Sequence, residues 1–258
     1  MGEPHTLPAL EVRDLGLQIG GARILRGVSL AVGQGEMLGV IGPNGAGKTT
    51  LFNLVSGIHR PTSGSVLLEG ADVTTTSVAA RARAGLGRTF QTSSLFPRLS
   101  VRENVRLAAQ GRLGGALSVL RFPRRGDAAT READRHLEPV GLVRRAEVDA
   151  GGLSHGDKRK LEIAVLLATE PRVVLLDEPM AGVSSADVPG LVEVIRDLHA
   201  TGCTVLMVEH HMDVVLGLVD RVAVMHHGEL LACDTPDAVM ADPTVQSAYL
   251  GVTAGEAA

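Results

Sequence analysis

The chain has 258 residues, 45% of them hydrophobic, which is enough for one large α/β domain or two small ones with a substantial core. A formal charge of −4 and a pI near 6.1 argue against a nucleic-acid protein built on a broad basic surface. The aromatic residues are Phe52, Phe90, Phe96, Phe122 and Tyr249, with no Trp, which disfavours a base-stacking platform for single strands. Residues 10–19 and 24–32 read as strands flanking Gly20-Gly21, a hairpin signal. A turn at Gly33-Gln34-Gly35 leads into 37–41, a short apolar run typical of a buried strand. Residues 50–56 continue as a helix with Gly57 as its stop, and 65–69 form a further short strand after a turn at 61–64. The middle third reads as helices over 101–110, roughly 128–140 and 154–169, with the Gly- and Arg-rich stretch 111–125 as a loop. The last third alternates: strand 173–176, helix 185–200, strand 203–208, helix 212–219, strand 221–225. Such alternation predicts a mainly parallel sheet covered by helices. His227-Gly228-Glu229 turns into a short terminal strand, and Thr235-Pro236 opens a last helix with a cap and a first-position proline.

Cys203 and Cys233 suit a reduced cytosolic setting and lack a metal-ligand spacing. No basic-then-apolar N-terminal stretch suggests a secretory signal, and no apolar run approaches the ~20 residues of a membrane span. The expectation is a soluble chain whose membrane role, if any, comes through a partner.

Three segments carry chemistry. Gly42-Pro43-Asn44-Gly45-Ala46-Gly47-Lys48-Thr49 spells a complete G-x-x-x-x-G-K-[ST] phosphate loop between a strand and a helix. Its glycines let successive N–H groups converge on phosphate oxygens, and the following helix points its positive end at the same anion. Lys48 adds a cation near the β- and γ-phosphates, and Thr49 a hydroxyl for Mg²⁺. Thr50 completes the binding set 42–50. Next, the apolar strand at 173–176 ends in Asp177-Glu178-Pro179. Beside a phosphate loop, Asp177 can reach the Mg²⁺ shell and Glu178 can polarise the attacking water. Third, Ser154 precedes a helix with Asp157 three residues on, as in a capping box. Ser154 and the Gly156 N–H read either as an ordinary capped helix or as a phosphate-binding helix end.

In this combination the chain resembles an ABC-transporter ATPase subunit over nearly all its length. The motifs run in that family's order: 42–49, Gln91, Leu153-Ser154-His155-Gly156-Asp157, Asp177-Glu178, and a switch histidine at His210. The resemblance implies one ABC-type ATP-binding domain over 1–258: a P-loop NTPase with a mainly parallel sheet core, an N-terminal antiparallel β layer and a helical subdomain. Its RecA-like core would span approximately 1–92 and 170–258, and the helical subdomain approximately 93–169. It also implies ATP and Mg²⁺ as ligands, with Gln91 between the Mg²⁺ site and a membrane partner. Ser154 and Gly156 would contact ATP held by an opposing subunit, and His210 the γ-phosphate. Lys48, Glu178 and His210 would be catalytic, and Thr49, Gln91 and Asp177 would serve the metal. Partners would be a second, homologous and non-identical ATPase subunit, two permeases and, indirectly, a solute-binding protein, with no nucleic acid. The setting would be the cytoplasmic side of a cell membrane.

The stretches 87–91, 95–104, 159–164, 208–212 and 242–251 look like branched-chain amino-acid importers, most closely the LivG-type subfamily. ATPases that drive lipopolysaccharide or lipid export share the ATP-site motifs, and a non-transport ABC ATPase is a second alternative. Several positions depart from the family. Asp157 stands where Gln is usual, with Lys158, Arg159 and Lys160 available to offset its charge. Ser184 replaces Asp or Asn and either bonds across a dimer or caps the next helix. His211 replaces an Asp, and Ile19 stands near the usual adenine-stacking aromatic. Arg121, Arg124 and Arg125 read as a solvated loop. Phe96, beside Phe90 and Leu95, reads as both core and permease-docking surface.

Overall fold

A computed structural model describes residues 7–89, 95–113 and 127–250. The chain opens with strands β1 (Leu10–Ile19), β2 (Ala22–Val32) and β3 (Met37–Ile41), then helix α1 (Lys48–Ser56). Strands β4 (Ser63–Leu68) and β5 (Ala71–Asp72), helix α2 (Val78–Arg83) and strand β6 (Leu86–Arg88) follow. Helices α3 (Val101–Arg112), α4 (Ala128–Leu137) and α5 (His155–Leu167) precede β7 (Val173–Asp177) and α6 (Val188–Ala200). The chain then runs through β8 (Thr204–Val208), α7 (Met212–Leu216), β9 (Arg221–His226), β10 (Glu229–Asp234), α8 (Pro236–Ala241) and α9 (Pro243–Leu250). It divides into two units, Met1–Leu86 with Arg172–Glu178 and Gly202–Ala258, and Gly87–Pro171 with Pro179–Thr201.

The first unit holds every strand except the last two residues of β6. An antiparallel layer runs β2-β1-β4-β5, with Ile19 facing Ala22 across the hairpin and Gly20 at φ 58, a conformation that favours glycine. The second sheet runs β10-β9-β3-β8-β7-β6. Within it β9, β3, β8 and β7 pair parallel, and β10 turns back antiparallel on β9. This is the mainly parallel core with an antiparallel N-terminal layer expected from the sequence. Every residue of β3, β7 and β8 is buried, which explains why these strands read as unbroken apolar runs. Because β3, β8 and β7 are parallel neighbours, their C-terminal ends emerge side by side on one edge of the sheet.

Helix α1 is locked at its C-terminal end by Arg81 from α2. This guanidinium is 1% exposed and donates to Leu54 O and Val55 O, both at 2.6 Å, and to Thr74 O at 2.8 Å. Burial pulls its pKa down, while the position beside the helix's negative end favours the cation. The sequence pattern predicts neither α2 nor α9. It does predict the end of α1 at Gly57, which sits at φ 81 as a left-handed cap.

The second unit is helical. Each of α3, α4 and α5 starts at a side-chain cap: Ser100 accepts from Glu103 N, Asp127 from Thr130 N and Ser154 from Asp157 N. Helix α3 packs on both α4 and α5, and Arg102 of α3 pairs with Asp134 of α4. Asn104, 3% exposed, closes the turn ahead of α3 by accepting from Phe96 N and donating to the carbonyls of Phe96, Leu99 and Ser100. Helix α6 starts at Val188, three residues later than the sequence suggested. The chain from Ser184 forms a turn instead, with Asp187 N donating to Ser184 O at 2.9 Å.

Candidate nucleotide-binding site

Gly42-Pro43-Asn44-Gly45-Ala46-Gly47 forms an open cradle at the end of β3. Gly42, Gly45 and Gly47 have φ of 150, 79 and 102. A Cβ on Gly42 would sit 2.2 Å from Met225 O, and one on Gly47 2.6 Å from a Leu25 methyl, so neither position tolerates a side chain. Gly47 caps α1 without a side-chain hydrogen bond, which leaves the first-turn N–H groups aimed outward as an anion site. Lys48 folds back over the loop, donating to Gly42 O at 2.6 Å and Pro43 O at 3.1 Å. Burial pulls its ammonium below the usual lysine range, and the Glu178 carboxylate opposes that shift. A desolvated cation held by two carbonyls gains from an incoming polyphosphate.

Asp177 ends β7 at 2% exposure, and α1 packs against that strand. The buried Asp177 carboxylate and the Thr49 hydroxyl in the first turn of α1 are hard-oxygen donors. Donors of that chemistry suit Mg²⁺, which takes few protein ligands and completes its shell with water and phosphate oxygens. Glu178 stands at φ 49, a left-handed conformation costly for a side-chain-bearing residue, with its N–H donating to Val208 O at 2.9 Å. The turn carries its carboxylate away from the strand to meet the next strand end. There His210 Nε2 lies 2.9 Å from Glu178 Oε1. A carboxylate only accepts, so this geometry selects the His210 tautomer with hydrogen on Nε2.

In the second unit Ser154 is the exposed N-cap of α5, its Oγ accepting from Asp157 N at 3.1 Å. Only half of the expected capping box forms, because the Asp157 carboxylate pairs with Arg145 instead of returning to the cap. Gly156 is buried, and a Cβ there would lie 2.9 Å from the Asp187 Cβ. The glycine is therefore required where α5 meets the turn ahead of α6. Ser184 does not cap α6; its hydroxyl donates to Asp187 Oδ2 at 2.8 Å and steadies that same turn.

The ABC transporter family model matches residues 25–181, more than half of the chain. The chain belongs to the ABC transporter ATPase family. A second model, for the branched-chain amino acid ATP-binding cassette transporter, matches residues 229–255. The chain is 38% identical over 252 residues to the high-affinity branched-chain amino acid transport ATP-binding protein LivG of Escherichia coli (strain K12), covering 95% of this chain and 98% of the relative. It is equally similar, 38% over 253 residues with the same coverage, to BraF of Pseudomonas aeruginosa, described in the same words. A lipopolysaccharide export system ATP-binding protein, LptB of Acidithiobacillus ferridurans, is 36% identical over 229 residues, covering 88% of this chain and 90% of that one. A crystal structure of the ADP conformation of an ATP-binding cassette of an ABC transporter aligns at TM-score 0.84 and 30% identity, over 95% of this chain and 100% of that one.

As an ABC ATPase the chain binds ATP, and its first unit gathers the loop 42–50, Asp177, Glu178 and His210. Ser154 and Gly156 belong to the second unit. Gln91, Phe90, Arg121, Arg124 and Arg125 lie outside the described residues. Phe96 is 56% exposed, so it is a surface residue rather than a core one. Ile19 is 61% exposed. His211 turns its Nδ1 to Glu209 Oε2 at 3.1 Å. Glu209 carries in the sequence a signal of the same kind as Asp177, an acid closing an apolar strand; Arg145, twelve positions from its partner, carries none.

Proposed function

We propose that the chain is the ATP-hydrolysing motor subunit of an ABC importer for branched-chain amino acids. The observation that carries the catalytic reading is the single edge on which the phosphate loop, Asp177, Glu178 and His210 emerge from three adjacent parallel strands. The solute class rests on the C-terminal model match at 229–255 and on the names of the LivG and BraF relatives.

In this reading the N–H groups of the loop and Lys48 hold the phosphates. Thr49 and Asp177, with Gln91, would hold Mg²⁺, which when bound would supply charge neutralisation to the phosphates. Glu178 accepts a proton from the attacking water, and His210 donates from Nε2 to the γ-phosphate, exchanging its contact with Glu178 for one with substrate. Ser154 and Gly156 serve ATP bound to an opposing ATPase subunit, so two ATP molecules lie between head-to-tail partners and hydrolysis reopens the dimer. Among the described residues no helix is long and apolar enough to cross a membrane. We place the chain on the cytoplasmic side of the membrane through two permease subunits, with Phe96 part of the docking surface and a solute-binding protein acting on the other side.

The similarity to LptB favours one second reading, an ATPase of lipopolysaccharide or lipid export. Affinity purification of the tagged chain from detergent-solubilised membranes separates the two. The importer reading expects two permeases and a second ATPase subunit, with ATP-dependent uptake of leucine, isoleucine or valine by the reconstituted complex. Recovery of a lipid-extracting permease and no amino-acid uptake would replace it with the exporter.

A further inference from the structure

To donate to the γ-phosphate, the His210 ring has to be aimed. Its side chain is 43% exposed, so packing does not fix the ring. The residue before it is the opposite case. Glu209 is 1% exposed, an acid buried at the end of β8 where a carboxylate is costly without donors. Its Oε2 accepts from His210 N at 2.9 Å, from His211 N at 3.4 Å and from His211 Nδ1 at 3.1 Å. One buried oxygen thus gathers two successive backbone N–H groups and a ring nitrogen, and it folds the chain sharply as it leaves the strand. His211, the N-cap of α7 with no side-chain cap of its own, is pinned at the far side of that turn. The His210 ring is what the turn presents, 2.9 Å from Glu178 Oε1.

We propose that Glu209 is the positioning residue of the switch histidine: its buried carboxylate shapes the turn that sets His210 against Glu178 and then against the γ-phosphate. This rests on the catalytic reading of His210 above. His211, which stands where the family has an Asp, is a second donor to that carboxylate rather than a metal ligand. Charge-assisted hydrogen bonds are about twice as strong as neutral ones, so Gln at 209 keeps an acceptor and weakens the turn, whereas Ala removes it.

The test is a double-mutant cycle in the purified transporter complex, reading steady-state ATP turnover and the dissociation constant of a fluorescent ATP analogue. Glu209→Gln is expected to lower kcat about fivefold, and Glu209→Ala about 10²-fold, the scale of a misplaced catalytic group. Nucleotide affinity should change by less than about twofold in both, because the phosphate loop is untouched. In a His210→Ala background neither substitution should lower kcat further, since the group they aim is gone. Losses at 209 that multiply onto His210→Ala, or a weakened nucleotide affinity, would overturn the proposal in favour of a general structural role. If Glu209→Ala does not fold, the cycle is read with Glu209→Gln, whose full kcat in the wild-type background would equally overturn it. Wild-type turnover in His210→Ala alone would instead remove His210 from the reaction, a failure of the catalytic reading that this cycle separates from failure of the positioning role.

Discussion

At the ends of β3, β7 and β8 the polar groups are held in arrangements that folding alone does not ask for. Lys48 is bent back onto two loop carbonyls, Glu178 sits in a left-handed conformation, and His210 is aimed at it from a turn built on a buried acid. At the head of α5 the polar groups are those of any well-capped helix: Ser154 bonds Asp157 N, Asp157 pairs with Arg145, and Gly156 lets the chain around Asp187 approach. The first region stores strain and desolvation, which favourable contacts with a charged substrate repay. The second is locally satisfied.

The largest expected effect breaks the first region. Glu178→Gln should lower ATP turnover about 10²- to 10⁴-fold, the span of general-base catalysis, while nucleotide binding persists. Stopped-flow phosphate release with a parallel binding titration checks this, and near-wild-type turnover would take the water-activating role away from Glu178. Lys48→Ala should instead lose affinity, because it removes a buried cation from the phosphate loop. A binding curve unchanged within about twofold would contradict that.

Two substitutions sharpen the second region. Ser154→Ala should destabilise α5 by about 1 kcal/mol through the lost cap, whereas Ser154→Asp, an equally good cap, should restore thermal stability. If Ser154 only caps, Ser154→Asp also restores turnover in the complex. If Ser154 serves ATP on the partner as proposed, turnover stays low, because a carboxylate would then meet the partner's phosphates. The smallest effect is expected at Asp157→Gln. Its partner Arg145 is half-exposed, and pairs of that kind are worth about 0–1 kcal/mol. Turnover should shift only modestly, and a gain of about two orders of magnitude would mean that the aspartate had been suppressing the site.

The same contrast decides what was legible in the sequence. The parallel core announced itself because β3, β7 and β8 are buried along their whole length and read as apolar runs. The loop was legible because backbone conformation dictates its glycines. The helices α2 and α9 were not, since each is short, and α2 lacks an apolar repeat and is held by the Ser77 cap and the buried Arg81. Asp157 was placed correctly on the backbone, but its carboxylate follows a long-range partner that no local pattern encodes. Glu209 was visible as an acid, yet its meaning lies in a turn. Ser184 has a cap-forming residue type at a helix approach, and the helix simply begins three residues further on.

In the proposed dimer the loop of this chain is completed by a signature segment from another ATPase subunit, and Ser154 in turn completes that subunit's site. Vanadate trapping of a photoreactive ATP analogue in the assembled transporter tests it, with labelled subunits separated by mass. With Ser154→Asp in this chain alone, label should be lost from the partner ATPase subunit and retained on the loop of this chain. Label lost from this chain's own loop, with the partner unaffected, would contradict it.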